Sequence, residues 1–171
     1  MNSSLAILGL VEIISALSIG VVILAMTYKL VKLIGQRFYH IQEQENLAYS
    51  IYTAAILYSV GYLVSGVIQP LMSSYRLSSA DGSAFEVISR HLGYGFVFIA
   101  IAYVFALVIG LLSTILYSKI TPIKEFEEII KNNIGVSIVV SVIIITLTLM
   151  TRSGVELLIE SVIPYPQLPP R

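Results

Sequence analysis

Apolar residues run along this chain in four long blocks, which short polar stretches separate. A helix needs about 20 mostly apolar residues to cross a bilayer, and each block is near that length. The blocks are continuous rather than alternating, so they predict helices and not the strands of a barrel. We therefore predict an all-α integral membrane protein with four transmembrane helices, at residues 6–28, 47–69, 93–117 and 134–151, the last pattern running on past Arg152 towards 163.

The connections between the blocks predict further elements and an orientation. Loops 29–46 and 118–133 carry six of the ten basic residues, so the positive-inside rule places them in the cytoplasm and both termini outside. Apolar residues recur at helical spacing in 29–45 and 121–131, which predicts short amphipathic cytoplasmic helices, the second capped by Thr121 with Pro122 at its first position. The proline-rich tail 164–171 should be extended. We expect a multi-pass protein of the bacterial inner (plasma) membrane.

Composition agrees with this class and narrows the function. Of 171 residues, 57% are hydrophobic and 12% are charged, whereas soluble domains carry roughly 25% charged residues. Ten basic and ten acidic residues balance, so no overall field attracts nucleic acid. The chain has no cysteine, which excludes disulfides and thiolate metal sites. No nucleotide, hydrolase or metal motif is found, so we expect no enzyme, no catalytic residue, no cofactor and no metal ligand.

The two halves of the chain repeat at an offset of 87 residues. Segment 46–51 reads Asn-Leu-Ala-Tyr-Ser-Ile, and segment 133–138 reads Asn-Ile-Gly-Val-Ser-Ile. Each half has the order span, amphipathic segment, asparagine, span. We predict one membrane domain over 1–171, with repeat one at about 6–72 and repeat two at about 93–163. Because each repeat has two spans, the copies are parallel and related by an axis along the membrane normal.

These same residues resemble a known family. Segment 121–129 reads Thr-Pro-Ile-Lys-Glu-Phe-Glu-Glu-Ile and is followed by the asparagine-led segment 133–138. This pattern is similar to the signature of a bacterial membrane family, domain of unknown function 350, called YjfL-like. The threonine-proline turn is absent from the first half of the chain. The resemblance implies membrane location and two tandem copies of two spans, and it implies no catalytic role.

Two sets of polar residues are candidates for function or for packing. Asn46 and Asn133 precede the second and fourth spans, where they either cap the helices or ring a pore mouth. Small and hydroxylated residues then share one face of each span, spaced four, seven and four residues apart. They either pack the two spans together or line a water path. The matching positions are Ser50, Ala54, Gly61 and Ser65 in the second span and Ser137, Ser141, Thr148 and Arg152 in the fourth.

Charged residues at membrane depth are the strongest functional candidates, since charge in the hydrocarbon costs roughly 2.5–3.5 kcal/mol. Counted along ideal helices, Glu12 and Arg152 fall near the same outer boundary and could pair. Glu156 lies one turn beyond Arg152, at the spacing of a helical ion pair. These groups are either a structural ion pair or a cation or proton site at an outer vestibule.

Two classes of function fit these observations. In the first, the protein is a small ion or solute channel or transporter subunit that acts as a homo-oligomer in the lipid bilayer. In the second, it is a non-conducting accessory or scaffold protein that organises cytoplasmic or membrane partners, or lipids, at the cytoplasmic face. Nucleic acid is excluded as a partner in either case.

Overall fold

The computed structural model describes residues 3–39, 46–67, 93, 95–110, 112 and 125–161, and regular structure in these ranges is helical throughout. We number the helices α1 to α5 along the chain: Ser3–Tyr39, Leu47–Ser65, Gly95–Gly110, Glu125–Ile130 and Ile134–Glu160. By length and composition, three segments are able to cross a membrane: Ala16–Arg37, Leu47–Ser65 and Ile134–Glu160. Helix α3 is apolar but shorter. The all-helical prediction is confirmed for the described part of the chain, and the apolar helices are compatible with a membrane location.

Helix α1 is longer than the sequence pattern predicts. It runs unbroken from Ser3 to Tyr39, 37 residues, or about 55 Å at the rise of an α-helix. Residues 29–39 contain no proline and many good helix formers, so nothing ends the helix at the lysines. The prediction of a separate amphipathic helix is therefore wrong for 29–39. Residues 40–45, Thr121, Pro122 and the tail 164–171 lie outside the described ranges.

Helices α1 and α2 pack antiparallel. The Tyr49 hydroxyl donates a hydrogen bond of 2.6 Å to the carbonyl oxygen of Val31. The tyrosine ring lies against Gly35, where an added Cβ would stand 2.5 Å from the hydroxyl oxygen. Further along α2, the Leu24 side chain lies 3.5 Å from the position of a Cβ on Gly61. Residue numbers thus fall on α1 as they rise on α2.

Helices α2 and α5 pack in parallel and have the most extensive contact among the described elements. Near their N-termini, the Ser137 hydroxyl donates to the carbonyl oxygen of Ala48. Towards the other end, the Arg152 guanidinium lies 4.3 Å from the centre of the Tyr62 ring. Both pairs have nearly the same offset in residue number, so the two helices stay in register along their shared length.

Two apolar clusters hold the helices together. One joins α1, α2, α3 and α5 and includes Ile23, Val60, Phe98, Ala102 and Val155. The other joins α1, α2, α4 and α5 near the N-termini of α2 and α5, and includes Val31, Tyr49, Tyr52, Ile129 and Ile144. Large apolar side chains also cover the outside of α1 and α5, among them Leu17, Val21, Val142 and Met150. Such an apolar exterior is typical of helices that face lipid or other helices.

Candidate functional site

Asn46 joins α2 and α4 at the N-terminal end of α2. Its side-chain oxygen accepts a hydrogen bond of 2.7 Å from the backbone N–H of Tyr49, which caps α2. Its amide nitrogen donates to the carbonyl oxygens of Ile129, at 3.0 Å, and Ile130, at 2.9 Å. These carbonyls lie in the last turn of α4, where helix carbonyls lack intrahelical partners. The side chain is buried and satisfies orphan groups of two helices at once.

Asn132 turns the chain from α4 into α5. Its φ is 65°, the left-handed conformation that closes many helices and that asparagine tolerates. The N–H of Asn133 bonds the carbonyl of Glu128 at 2.9 Å, and the N–H of Asn132 bonds that of Ile129 at 3.0 Å, which together form a Schellman motif. The Asn132 side-chain oxygen also accepts from the N–H of Ala48 at 3.0 Å. Asn132 is not among the predicted site residues, although its position just after an apolar segment is a signal for a helix-ending turn.

Asn133 caps α5 in the same way that Asn46 caps α2, but at the surface. Its side-chain oxygen accepts from the N–H of Val136 at 3.3 Å, and its amide donates to a Glu128 carboxylate oxygen at 3.1 Å. Lys131 pairs with that carboxylate at 2.9 Å. The hydrogen bond from Lys131, and then that from Asn133, lowers the pKa of Glu128, while Glu128 raises the pKa of Lys131. The capping interpretation is confirmed for both asparagines.

Three hydroxyl residues of α5 that match the α2 positions are engaged in hydrogen bonds, two of them to α2. Ser137, Ser141 and Thr148 are all buried. Ser137 donates across to Ala48, and Ser141 donates to the carbonyl oxygen of Ile51 at 3.4 Å. Thr148 bonds within its own helix, to the carbonyl of Ile144 at 2.7 Å. These hydroxyls serve helix contact and backbone pairing, which favours the packing interpretation for the face that α5 presents to α2.

The matching residues of α2 do not face α5. Ser50 is half buried and bonds back to the carbonyl of Asn46 at 3.1 Å. Ser65 is exposed and bonds to the carbonyl of Tyr62 at 2.7 Å, and Ala54 is exposed as well. The packing interpretation therefore applies to the α5 positions, and the matching α2 positions do not meet them. Helix α5 lies against another side of α2, where Ser137 reaches the carbonyl oxygen of Ala48 and Arg152 covers the Tyr62 ring.

A charged and aromatic cluster lies at the other end of the α2–α5 pair; we call it the arginine cluster, made of Arg152, Glu156, Tyr62 and Tyr58. Arg152 Nε donates to Glu156 Oε1 at 2.6 Å, and both side chains are about one-third exposed. The guanidinium covers the face of Tyr62, whose ring stacks on that of Tyr58 at 5.9 Å between centres. The predicted pair between Arg152 and Glu156 is confirmed, while the tyrosines were not anticipated because they lie on the other helix.

Glycine at position 66 makes room for the Glu156 carboxylate. A Cβ on Gly66 would stand 2.7 Å from Glu156 Oε1. The carboxylate therefore lies directly against the end of α2, one turn beyond Tyr62. The position of Glu156 is set from both sides, by Arg152 along its own helix and by the bare backbone of α2.

Glu12 does not share the height of Arg152 in this register. Arg152 lies beside Tyr62, and the neighbouring Gly61 lies beside Leu24 of α1. Glu12 precedes Leu24 by twelve residues, about 18 Å along the helix. The separation arises because α1 extends past the end of α2. The side chain of Glu12 lies outside the described side chains, and its role stays a prediction.

Among the residues that the structure describes, no three histidine, cysteine, aspartate or glutamate side chains converge as a metal site would require.

Comparison with known proteins identifies part of the chain. No curated protein and no solved structure matches the chain. Residues 89–163, which contain α3, α4 and α5, match a family model described as Domain of Unknown Function (DUF350). The resemblance to domain of unknown function 350 is thereby confirmed over residues 89–163.

Proposed function

We propose that this chain is a subunit of a small oligomeric channel or transporter for ions or small polar solutes. The α4 end is assigned to the cytoplasm and the arginine cluster to the outer side of the bacterial inner membrane. The assignment of sides rests on the basic residues of the connecting loops. The observation that supports conduction is the arginine cluster itself.

The arginine cluster supports a pathway because of where its charges lie. Arg152 and Glu156 belong to a helix apolar enough to cross a membrane, yet about one-third of each side chain is open. Ionisable residues within membrane helices are rare and typically face a bundle interior or a water-filled cavity. Their partial exposure on a single subunit is accounted for when that open side faces water in an assembly.

The interior of one subunit offers less support for a pathway than the space between subunits does. The hydroxyls of Ser137 and Ser141 donate to backbone carbonyls of α2, and the hydroxyl of Thr148 donates to a backbone carbonyl of α5. A water path along this face would have to break helix contacts. A pathway between chains would leave them intact, which is why we assign the function to an oligomer.

The alternative, a non-conducting accessory protein, draws on α4. Ile129 anchors this short helix in the apolar cluster, and Asn46 holds its last carbonyls. The opposite side carries Glu127, which is exposed, with Glu128 and Lys131. A firmly held, charged helix at the membrane boundary is a surface on which a soluble partner could dock.

Flux from proteoliposomes separates the two functions. Purified chains are reconstituted, and release of potassium, sodium, chloride or protons is followed for wild type, Glu156→Gln and Glu127→Gln. Both substitutions remove one negative charge, but only Glu156 belongs to the arginine cluster. We expect flux that Glu156→Gln changes several-fold in rate or selectivity and that Glu127→Gln leaves alone.

Two results would argue against conduction through this cluster. Equal effects of the two substitutions on flux would show that the arginine cluster does not line the pathway. Absence of flux for every ion, with helicity confirmed by circular dichroism, would favour the accessory function. Glu12→Gln in the same assay tests whether the second acid contributes.

A further inference from the structure

The contact between α2 and α5 joins two different faces of the repeated span. We call the first the hydroxyl face; on α5 it consists of Ser137, Ser141, Thr148 and Arg152. We call the second the receiving face; on α2 it consists of Ala48, Ile51, Tyr62 and Gly66, each of which contacts the hydroxyl face or the adjoining Glu156. A contact between unlike faces is heterologous, and it leaves one copy of each face unused.

The unused copies are found by the 87-residue offset. This offset relates Asn46 to Asn133, and both cap a helix through the N–H three residues on, so it holds for the caps of α2 and α5 as well as for the sequence. The receiving face then recurs on α5, where every member is exposed: Gly135, Ile138, Leu149 and Ser153. On α2 the same positions are buried or half buried.

The hydroxyl face shows the opposite pattern of burial, being buried on α5 and more exposed on α2. On α5 its three hydroxyl residues are buried, and Ser137 and Ser141 donate to α2. On α2 its members are Ser50, Ala54, Gly61 and Ser65, of which Ala54 and Ser65 are exposed and the other two are half buried. Leu24 of α1 covers part of Gly61, so the open positions of this face are Ala54 and Ser65, on either side of Gly61. One chain thus presents one open face of each kind.

We propose that a second copy of this chain occupies these faces, with the hydroxyl face of α2 in one chain packing on the receiving face of α5 in the next. The contact within the chain is the template for the contact between chains. Both faces are rich in small and hydroxylated residues, which favour close helix packing over contact with lipid. The inference deepens the proposed function by naming the surfaces through which its oligomer assembles.

Repetition of a heterologous contact generates a closed ring when the rotation between neighbours closes on itself. We place that rotation about an axis along the membrane normal, so that two chains supply four repeats, the smallest ring in which every hydroxyl face meets a receiving face. The arginine cluster of each chain would lie at the same height in such a ring. This arrangement differs from a symmetric dimer in which α2 meets α2 or α5 meets α5.

Cysteine cross-linking tests the proposal without background from other thiols, since the chain has no cysteine of its own. The template pair is Ser141 with Ile51, whose hydroxyl and carbonyl oxygens are 3.4 Å apart. By the 87-residue offset, Ser141 corresponds to Ala54 and Ile51 corresponds to Ile138. The pair expected between chains is therefore Ala54 with Ile138. Chains carrying Ala54→Cys and chains carrying Ile138→Cys bear different tags, are co-expressed in membranes and are oxidised together.

We expect covalent dimers that contain both tags, in several-fold excess over either variant alone. Ile51→Cys with Ser141→Cys in one chain should form a link within the chain, which verifies the fold. Val139→Cys in place of Ile138→Cys is the matched control. Val139 is also exposed, at 45%, and lies about 100° further around α5.

Three results would overturn the proposal. The link within the chain could form while the mixed pair gives no more dimer than the Val139 control. Ala54→Cys alone could dimerise as well as the mixture, which would indicate a symmetric contact. If the cysteine variants do not fold, the mass of the wild-type chain in nanodiscs decides, and a single chain at every loading contradicts the proposal. Because none of these readouts measures flux, a ring that does not conduct remains distinguishable from a failed ring.

Discussion

Substitution of Asn46 by alanine should cost far more stability than substitution of Asn133, although the two residues match in the repeat. Loss of an N-cap costs about 1 kcal/mol, and each buried hydrogen bond to α4 contributes about 1 kcal/mol more. Asn46→Ala removes the cap to Tyr49 and both bonds, to Ile129 and Ile130, for a total of about 3 kcal/mol. Asn133→Ala removes one exposed cap and a surface bond, for about 1 kcal/mol or less.

Unfolding in mixed micelles by a titration with sodium dodecyl sulfate, followed by far-ultraviolet circular dichroism, measures both variants. Asn46→Asp is the matched variant, since it keeps the capping oxygen and loses the amide donors that α4 requires. We expect it to lose about 2 kcal/mol or more, because a carboxylate would face two carbonyl oxygens. Equal losses for Asn46→Ala and Asn133→Ala would refute the junction that Asn46 forms between α2 and α4.

Three further predictions concern the packing and the turn. Gly35→Ala should destabilise the chain by about 1–3 kcal/mol, because its Cβ would stand 2.5 Å from the Tyr49 hydroxyl, and thermal unfolding in detergent measures the loss. Asn132→Ala should cost about 2 kcal/mol through the left-handed backbone and the lost bond to α2, whereas Asn132→Gly should cost less, since glycine accepts this φ of 65°. The pKa of Glu128 is lowered by its pair with Lys131, so this pair stabilises the fold above the unfolded pKa of the carboxyl group. The stabilisation is lost as the pH falls through the folded pKa. Lys131→Met should raise the pKa of Glu128, which carbon-detected nuclear magnetic resonance measures.

The helices themselves follow from patterns that a sequence carries directly. Long apolar blocks predict α2 and α5, and asparagine before each block predicts the caps, because both signals depend on neighbouring residues. The continuation of α5 past Arg152 was also anticipated, since the pair with Glu156 forms within one helix turn. These features need no knowledge of which helix lies beside which.

The register between helices could not be predicted in the same way. Counting from the ends of the apolar blocks placed Glu12 level with Arg152, but the contact of Leu24 with Gly61 shifts α1 along α2. Matching positions in the repeat indicated equivalent faces on α2 and α5, whereas the chain joins unlike faces. The burial of Asn46 beside α4 has the same origin. Such features depend on packing between distant segments, and a pattern within one helix does not encode them.

Flux at controlled loading tests the central claim, that a pathway forms between chains, most directly. Purified wild-type chain is reconstituted over a series of protein-to-lipid ratios that begins below one chain per vesicle, and the fraction of vesicles that release trapped ions is counted. The account predicts that vesicles with a single chain stay sealed and that the leaking fraction follows the statistics for two or more chains. Release from vesicles that hold one chain would contradict the claim, and so would the absence of release at every loading.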